Sequence, residues 1–114
     1  MLPAVAQGAI GITCRDGDQA MLDFLAPLNH PETKTCVDCE RSFLARLDGS
    51  CRTPIAGQAC IEDGVLHFRG LVAKPDGSVV FETGKSGKPA DALAIGTDAG
   101  TELKEKMGDN FFAV

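Results

Sequence analysis

Apolar residues change their spacing twice along this chain of 114 residues. Residues 9–14, Ala9-Ile10-Gly11-Ile12-Thr13-Cys14, are a run of small and β-branched side chains, which suits a strand covered on both faces. Asp16-Gly17-Asp18 then makes a turn whose last Asp is placed to cap a helix over residues 19–28, where Met21, Leu22, Leu25 and Leu28 recur at helical spacing. Asn29-His30-Pro31-Glu32 stops that helix and starts another, because the residue before a proline avoids αR while proline is tolerated at the first helical position. The second helix is expected over residues 32–47. Its apolar positions are Cys36, Val37, Phe43, Leu44 and Leu47, with Glu40, Arg41 and Arg46 between them and Asp48-Gly49 as its stop.

From residue 55 the period shortens. Residues 55–62, 65–74 and 79–85 are β-branched or aromatic runs separated by Glu62-Asp63-Gly64 and Pro75-Asp76-Gly77, and acidic-Gly pairs between apolar runs predict hairpins. Residues 86–91 read as a polar loop. Residues 92–107 read as a last helix with Leu93, Ala99, Leu103 and Met107 on its inner face. The expected fold class is therefore α+β, a small three-stranded antiparallel sheet packed with helices over residues 30–114. Residues 1–29 fit that domain poorly. An apolar strand at residues 9–14 has no second parallel strand near it in sequence, so its partners are expected upstream of Met1.

Composition narrows the function classes. With 44% hydrophobic and 24% charged residues the chain is in the ordinary globular range. Eleven Lys and Arg against sixteen Asp and Glu give a net charge of -5, which opposes binding to phosphate backbones, so no nucleic-acid partner is expected. No stretch approaches the roughly 20 apolar residues of a membrane-spanning helix, and no membrane partner is expected either. The apolar N-terminus lacks the basic leader of a signal peptide and is interrupted by Pro3, Gly8 and Gly11. Five cysteines, at 14, 36, 39, 51 and 60, are an odd number without the density of a secreted disulfide framework, which points to free thiols in a reducing compartment.

Cys51 stands out among candidate reactive groups. Gly49 and Ser50 make the backbone before it permissive, Pro54 stiffens the exit, and Arg52 places a cation beside a thiol whose thiolate is the reactive form. The bland alternative is a free thiol in an ordinary loop. Cys36-Val37-Asp38-Cys39 has CxxC spacing, but a zinc site needs four ligands and Cys14, Cys60, His30 and His67 supply no second paired spacing. Two small apolar residues on a helix face is the favoured reading, and no metal is expected. His30, before a helix-starting proline, and His67, between Leu66 and Phe68 in a strand, are acid-base candidates by type only, with structural or surface roles favoured. No catalytic triad, phosphate-cradling loop or paired-carboxylate motif stands out.

Four ordered strings carry more information. Leu2-Pro3-Ala4-Val5-Ala6-Gln7-Gly8-Ala9-Ile10-Gly11-Ile12, Leu28-Asn29-His30, Glu40-Arg41-Ser42-Phe43-Leu44 and Leu47-Asp48-Gly49-Ser50-Cys51-Arg52-Thr53-Pro54-Ile55-Ala56-Gly57 resemble the porphobilinogen deaminase (hydroxymethylbilane synthase) family in content, order and gaps. Lys74-Pro75-Asp76-Gly77-Ser78 and Phe111-Phe112 add weaker support, so the resemblance covers essentially the whole chain. It implies a transferase of tetrapyrrole (haem and chlorophyll) biosynthesis that joins four porphobilinogen units head to tail, releasing ammonia, to give hydroxymethylbilane. The primer would be a dipyrromethane cofactor attached through a thioether to Cys51. A tether of that kind needs a nucleophilic sulfur in reach and holds the growing oligopyrrole through repeated additions.

The family has three domains, the first two like a periplasmic-binding-protein pair. On that template residues 1–29 are the crossover and a returning strand-helix segment of the α/β cleft domains, and residues 30–114 are the cofactor-bearing C-terminal domain. Gln7, Gly8 and Ser50 would lie near the cofactor, and Arg15 is a candidate for binding substrate carboxylates, since guanidinium pairs with them bidentately. Arg41 is similar to a family arginine, with an ordinary surface or interdomain ion pair favoured for it. The catalytic residues would lie upstream in the missing N-terminal domains, so none is assigned here and the isolated chain is expected to be inactive. The compartment would be bacterial cytoplasm or, for a plant-like source, plastid stroma. Two rivals remain: a stand-alone non-catalytic α+β binding or assembly module whose exposed strand dimerises or swaps, and a thiol-metal protein using Cys36 and Cys39.

Overall fold

A computed structural model describes residues 2–47, 54–108 and 111. Helix α1, Gln19–Leu25, continues as a 3-10 turn over Ala26–Leu28, and helix α2 spans Pro31–Arg46. Strands β1, Ile55–Glu62, β2, Val65–Ala73, and β3, Val80–Gly87, form one antiparallel sheet in the order β1-β2-β3. A 3-10 turn, Pro89–Asp91, leads into helix α3, Ala92–Met107. The α+β class expected from the spacing is what forms.

The hairpin joining β1 to β2 is set by backbone chemistry. Glu62 pairs with Val65, leaving a two-residue loop, and both of its residues have positive φ, 51° at Asp63 and 74° at Gly64. That is the type I′ requirement, whose twist matches the flanking strands. Between β2 and β3 the loop is longer. Gly77 has φ 75°, its N–H donates to Lys74 O at 2.8 Å, and the Asp76 side chain accepts from the Ser78 N–H and hydroxyl. Those two hydrogen bonds to Ser78 lower the Asp76 pKa.

One face of the sheet is buried. Ile55, Gly57 and Ala59 of β1 lie opposite Val72, Gly70 and Phe68 of β2, and all six point inward with Leu66. Helices α2 and α3 cover this face through Cys39, Phe43 and Leu47 on one side and Ala92, Ile95, Ala99 and Leu103 on the other. The two helices approach closely because α3 presents Gly96 and Gly100 to α2; a Cβ at Gly100 would lie 2.7 Å from Arg46 Cβ. Arg46 Nε also donates to Thr101 Oγ1 at 3.0 Å. Leu93, expected on the inner face of α3, is 62% exposed, because the inward stripe is Ala92, Ile95, Gly96, Ala99, Gly100 and Leu103. Small residues let the helices touch, and an apolar count alone overlooks them.

The expected strand at residues 9–14 does not form. Residues 9–15 carry no regular secondary structure, and Ile10 is 92% exposed. A lone strand has no ladder for its N–H and C=O groups, so pattern without a partner gives no strand. Helix α1 does form, capped by Asp18, whose side chain accepts from the Met21 N–H at 3.0 Å. Its apolar residues Met21, Leu22 and Phe24 are exposed.

Candidate functional site

Residues 3–8 lie against the α2–β1 corner. Pro3 O accepts from the Gly57 N–H at 3.0 Å along the outer edge of β1, and Val5 packs on the core. Two successive turns follow. The Gln7 N–H donates to Ala4 O and the Ala9 N–H to Ala6 O, each at 3.1 Å, with left-handed φ at Ala6 (58°) and Gly8 (84°). Gln7 Oε1 in turn accepts from the Ala4 N–H at 3.1 Å, so the Gln7 side chain closes its own turn. Gln7 and Gly8 are both exposed.

What ties this segment to the domain is Glu40 on α2. Its Oε1 accepts from the Ala6 N–H at 2.8 Å and its Oε2 from the Ala59 N–H at 3.1 Å. Glu40 is only 8% exposed and is the one charged residue in the interior among the described residues. A buried carboxylate is costly unless its lone pairs are taken, and here two backbone donors take them. The sequence reading places Glu40 only between the apolar positions of the helix and gives it no role. The missed signal is its spacing, four residues after Cys36 and three before Phe43, on the stripe that faces the sheet.

An open groove of about 390 Å³ lies where these parts meet, lined by Gln7, Gly8, His30, Cys36, Glu40 and Cys60 among others. His30 serves as the N-cap of α2, its Nδ1 facing the Thr33 N–H at 3.2 Å and the Thr33 hydroxyl at 2.6 Å. Cys36 lies in the same groove, half-buried, and its thiol pKa is raised by burial and by the nearby Glu40 charge. Cys39 lies below, fully buried, its pKa pushed up to about 12 by burial first and by Glu40 and Cys36 next. The CxxC pair is thus divided between groove and core. Among the described residues no group of three or more His, Cys, Asp and Glu side chains is arranged to hold a metal ion.

Cys51 and Ser50 lie outside the described residues, as does the expected helix stop at Asp48-Gly49. The flanking residues are placed: Leu47 is buried at the end of α2, and Pro54 O accepts from the Ala73 N–H at 3.0 Å just before β1. Arg15 is exposed between residues 9–14 and α1, and Arg41 is exposed on α2. His67 meets Ser86 Oγ across the β2–β3 pair at 2.9 Å. The structure therefore brings Gln7, Gly8 and His30 to one groove and leaves Arg15, Arg41 and His67 elsewhere.

The C-terminal domain of porphobilinogen deaminase, as a family model, matches residues 34–105. The chain belongs to the porphobilinogen deaminase family. It is 57% identical over 98% of its length to the chloroplastic porphobilinogen deaminase of Pisum sativum and 48% identical over 99% to the porphobilinogen deaminase of Nitrobacter hamburgensis. The matched stretches are 31% and 36% of those proteins, so the chain spans about a third of the length of the curated relatives it matches. The match to the porphobilinogen deaminase C-terminal domain covers most of α2, all three strands and nearly all of α3. No helix of the described residues is long and apolar enough to cross a membrane.

Proposed function

We propose that this chain is the cofactor-bearing part of a hydroxymethylbilane synthase, a transferase of tetrapyrrole biosynthesis that polymerises four porphobilinogen units into hydroxymethylbilane. The observation that carries the reading is the 57% identity to a porphobilinogen deaminase sustained over nearly the whole chain. Cys51 would hold a dipyrromethane primer through a thioether. The primer, when bound, would supply the pyrrole carbon to which the first unit is joined, each later unit being added to the end of the growing chain.

The surroundings are compatible with such a group. Buried Leu47 and hydrogen-bonded Pro54 anchor the chain on both sides of Cys51. Gln7 and Gly8 are exposed, and the Gln7 amide nitrogen is a donor left available by the use of its oxygen within the turn. Gln7, Gly8 and Ser50 would line the cofactor, and Arg15 would pair with a substrate carboxylate, its planar fork matching that anion. Covalent attachment keeps the growing oligopyrrole at one site, which removes the entropy of rebinding at each step.

The remaining parts would come from the longer protein. The exposed apolar groups of residues 9–28, among them Ile10 and Phe24 at 92% and 76% exposure, would pack on its N-terminal domains, where the catalytic residues would also lie. The compartment would be bacterial cytoplasm or plastid stroma, a reading supported by the existence of bacterial and chloroplastic relatives. Intact mass tests the reading. A full-length protein carrying these residues should bear an adduct of two pyrrole units that is lost in Cys51→Ala. An adduct that survives the substitution, or its absence from active protein, overturns the role of Cys51, and turnover by the 114 residues alone overturns their inactivity.

A further inference from the structure

We propose that Glu40 is a positioning residue that fixes Gln7 and Gly8 relative to the helix leading to Cys51, by holding the Ala6 and Ala59 backbone N–H groups in its two carboxylate oxygens. The inference rests on the proposed function for its consequence and on the structure alone for its geometry.

Strand β1 is an edge strand, so the N–H groups of alternate residues on its outer side need partners from elsewhere. Gly57 donates to Pro3 O, as if residues 3–6 were beginning a fourth strand. Two residues further on, Ala59 donates to Glu40 Oε2, while Ala6 donates to Glu40 Oε1. The carboxylate stands where a continued ladder would have placed backbone, and it lets the chain turn away. Ala6 is left in a left-handed conformation that alanine seldom adopts; it lies inside the turn that ends at Gln7 and opens the turn that carries Gln7 and Gly8.

A carboxylate is suited to this because it only accepts. An amide in its place would present a donor to one of the two N–H groups. Glu40 is also two helical turns before Leu47, a rise of about 10 Å along α2. One helix therefore sets both the turns at Gln7 and Gly8 and the buried residue from which the chain continues to Cys51.

Hydrogen exchange tests the geometry without reference to function. In the unaltered 114-residue chain the Ala6 amide should be protected. In Glu40→Gln the Ala6 or the Ala59 amide should exchange at least about tenfold faster, the effect of losing one buried hydrogen bond, while the β2–β3 ladder amides keep their protection. An Ala6 amide that exchanges at the free-peptide rate in the unaltered chain overturns the proposal even if the variant does not fold. Unchanged exchange in a folded variant overturns it too.

The consequence is read in the full-length protein. Glu40→Gln should lower kcat about tenfold at full cofactor occupancy, with KM nearly unchanged and the melting temperature within about 3 °C, and Glu40→Asp should recover part of the rate. Normal kcat alongside faster Ala6 exchange overturns the positioning role. Loss of the functional reading would show separately, as an absent Cys51 adduct with the exchange results intact.

Discussion

The ring of Phe43 lies directly over Gly70: a Cβ on that glycine would sit 2.6 Å from Phe43 Cζ and 2.9 Å from Cε1. Gly57, paired with Gly70 across the hairpin, completes a flat patch of sheet, and the Phe43 and Phe68 rings meet over it at 4.8 Å between centroids and a 58° tilt. Helix α2 can thus lie low on the sheet, which places Glu40 within reach of the edge of β1. Gly70→Ala should destabilise the fold by about 2 kcal/mol, the scale of overpacking a rigid core. In a Phe43→Leu background, which removes the clashing ring atoms, the same substitution should cost at least about 1 kcal/mol less. Urea denaturation of the four proteins measures the coupling, and strict additivity would refute the contact.

Much of this architecture was legible because its signals are local. The bounds of β1 and α3 coincide with those read from spacing, and β2 differs at one end by a single residue, since acidic-Gly pairs fix where a hairpin turns whatever lies around it. Residues 9–14 had an equally good strand pattern and form none, because a strand also requires a neighbour, which a local pattern does not reveal. Leu93 failed for a related reason, and Glu40 was passed over for the same one. Which face of a helix is inside depends on what it packs against, and the inward stripes include two glycines and one carboxylate, which an apolar pattern does not mark. Within the candidate site, Gln7 and Gly8 were named from the family resemblance, whereas the group holding their turns in place was not.

Helix α3 touches α2 through Gly96, where a Cβ would collide with the Ser42 hydroxyl and the Cys39 carbonyl. A flexible side chain can yield and a helix backbone cannot, so Gly96→Ala should cost about 3 kcal/mol despite alanine's better helix propensity. Gly84, with only the Phe68 carbonyl near its Cβ position at 3.9 Å, is the control, and Gly84→Ala should change stability by less than about 1 kcal/mol. Thermal melts of both variants separate crowding from backbone effects. Equal shifts would mean the helices are not in contact at Gly96.

The β1–β2 hairpin makes a sharper conformational prediction. Gly64 has open space around its Cβ position but a φ of 74°, so Gly64→Ala meets strain without any clash. The expected cost is about 1 kcal/mol, a drop of roughly 4–8 °C in Tm for a domain of this size. Gly64→Asn should lose much less, because asparagine tolerates the left-handed region. If alanine and asparagine proved equally harmful, the turn would not be type I′.

Cys39 should make stability fall at high pH. Burial and the Glu40 charge raise its folded pKa from 9.0 to about 12, with a hydrogen bond from the Gly96 backbone opposing them. A group whose folded pKa is raised contributes stability that is present below the unfolded pKa and is lost as pH rises. The neutral buried thiol therefore stabilises the fold up to about pH 9, and that contribution declines between pH 9 and 12 as the unfolded chain ionises first, by up to about 1.4 kcal/mol per pH unit. Cys39→Ala, which cannot ionise, should show a flatter profile across that window although it is less stable at pH 7 through loss of core volume. In native protein at pH 8 a thiol reagent should modify exposed Cys60 and spare Cys39, which should react only under denaturing conditions. Mass mapping of the labelled cysteines and urea midpoints from pH 8 to 11 check both. Parallel pH profiles for the variant and the unaltered chain would show that Cys39 is not the titrating group.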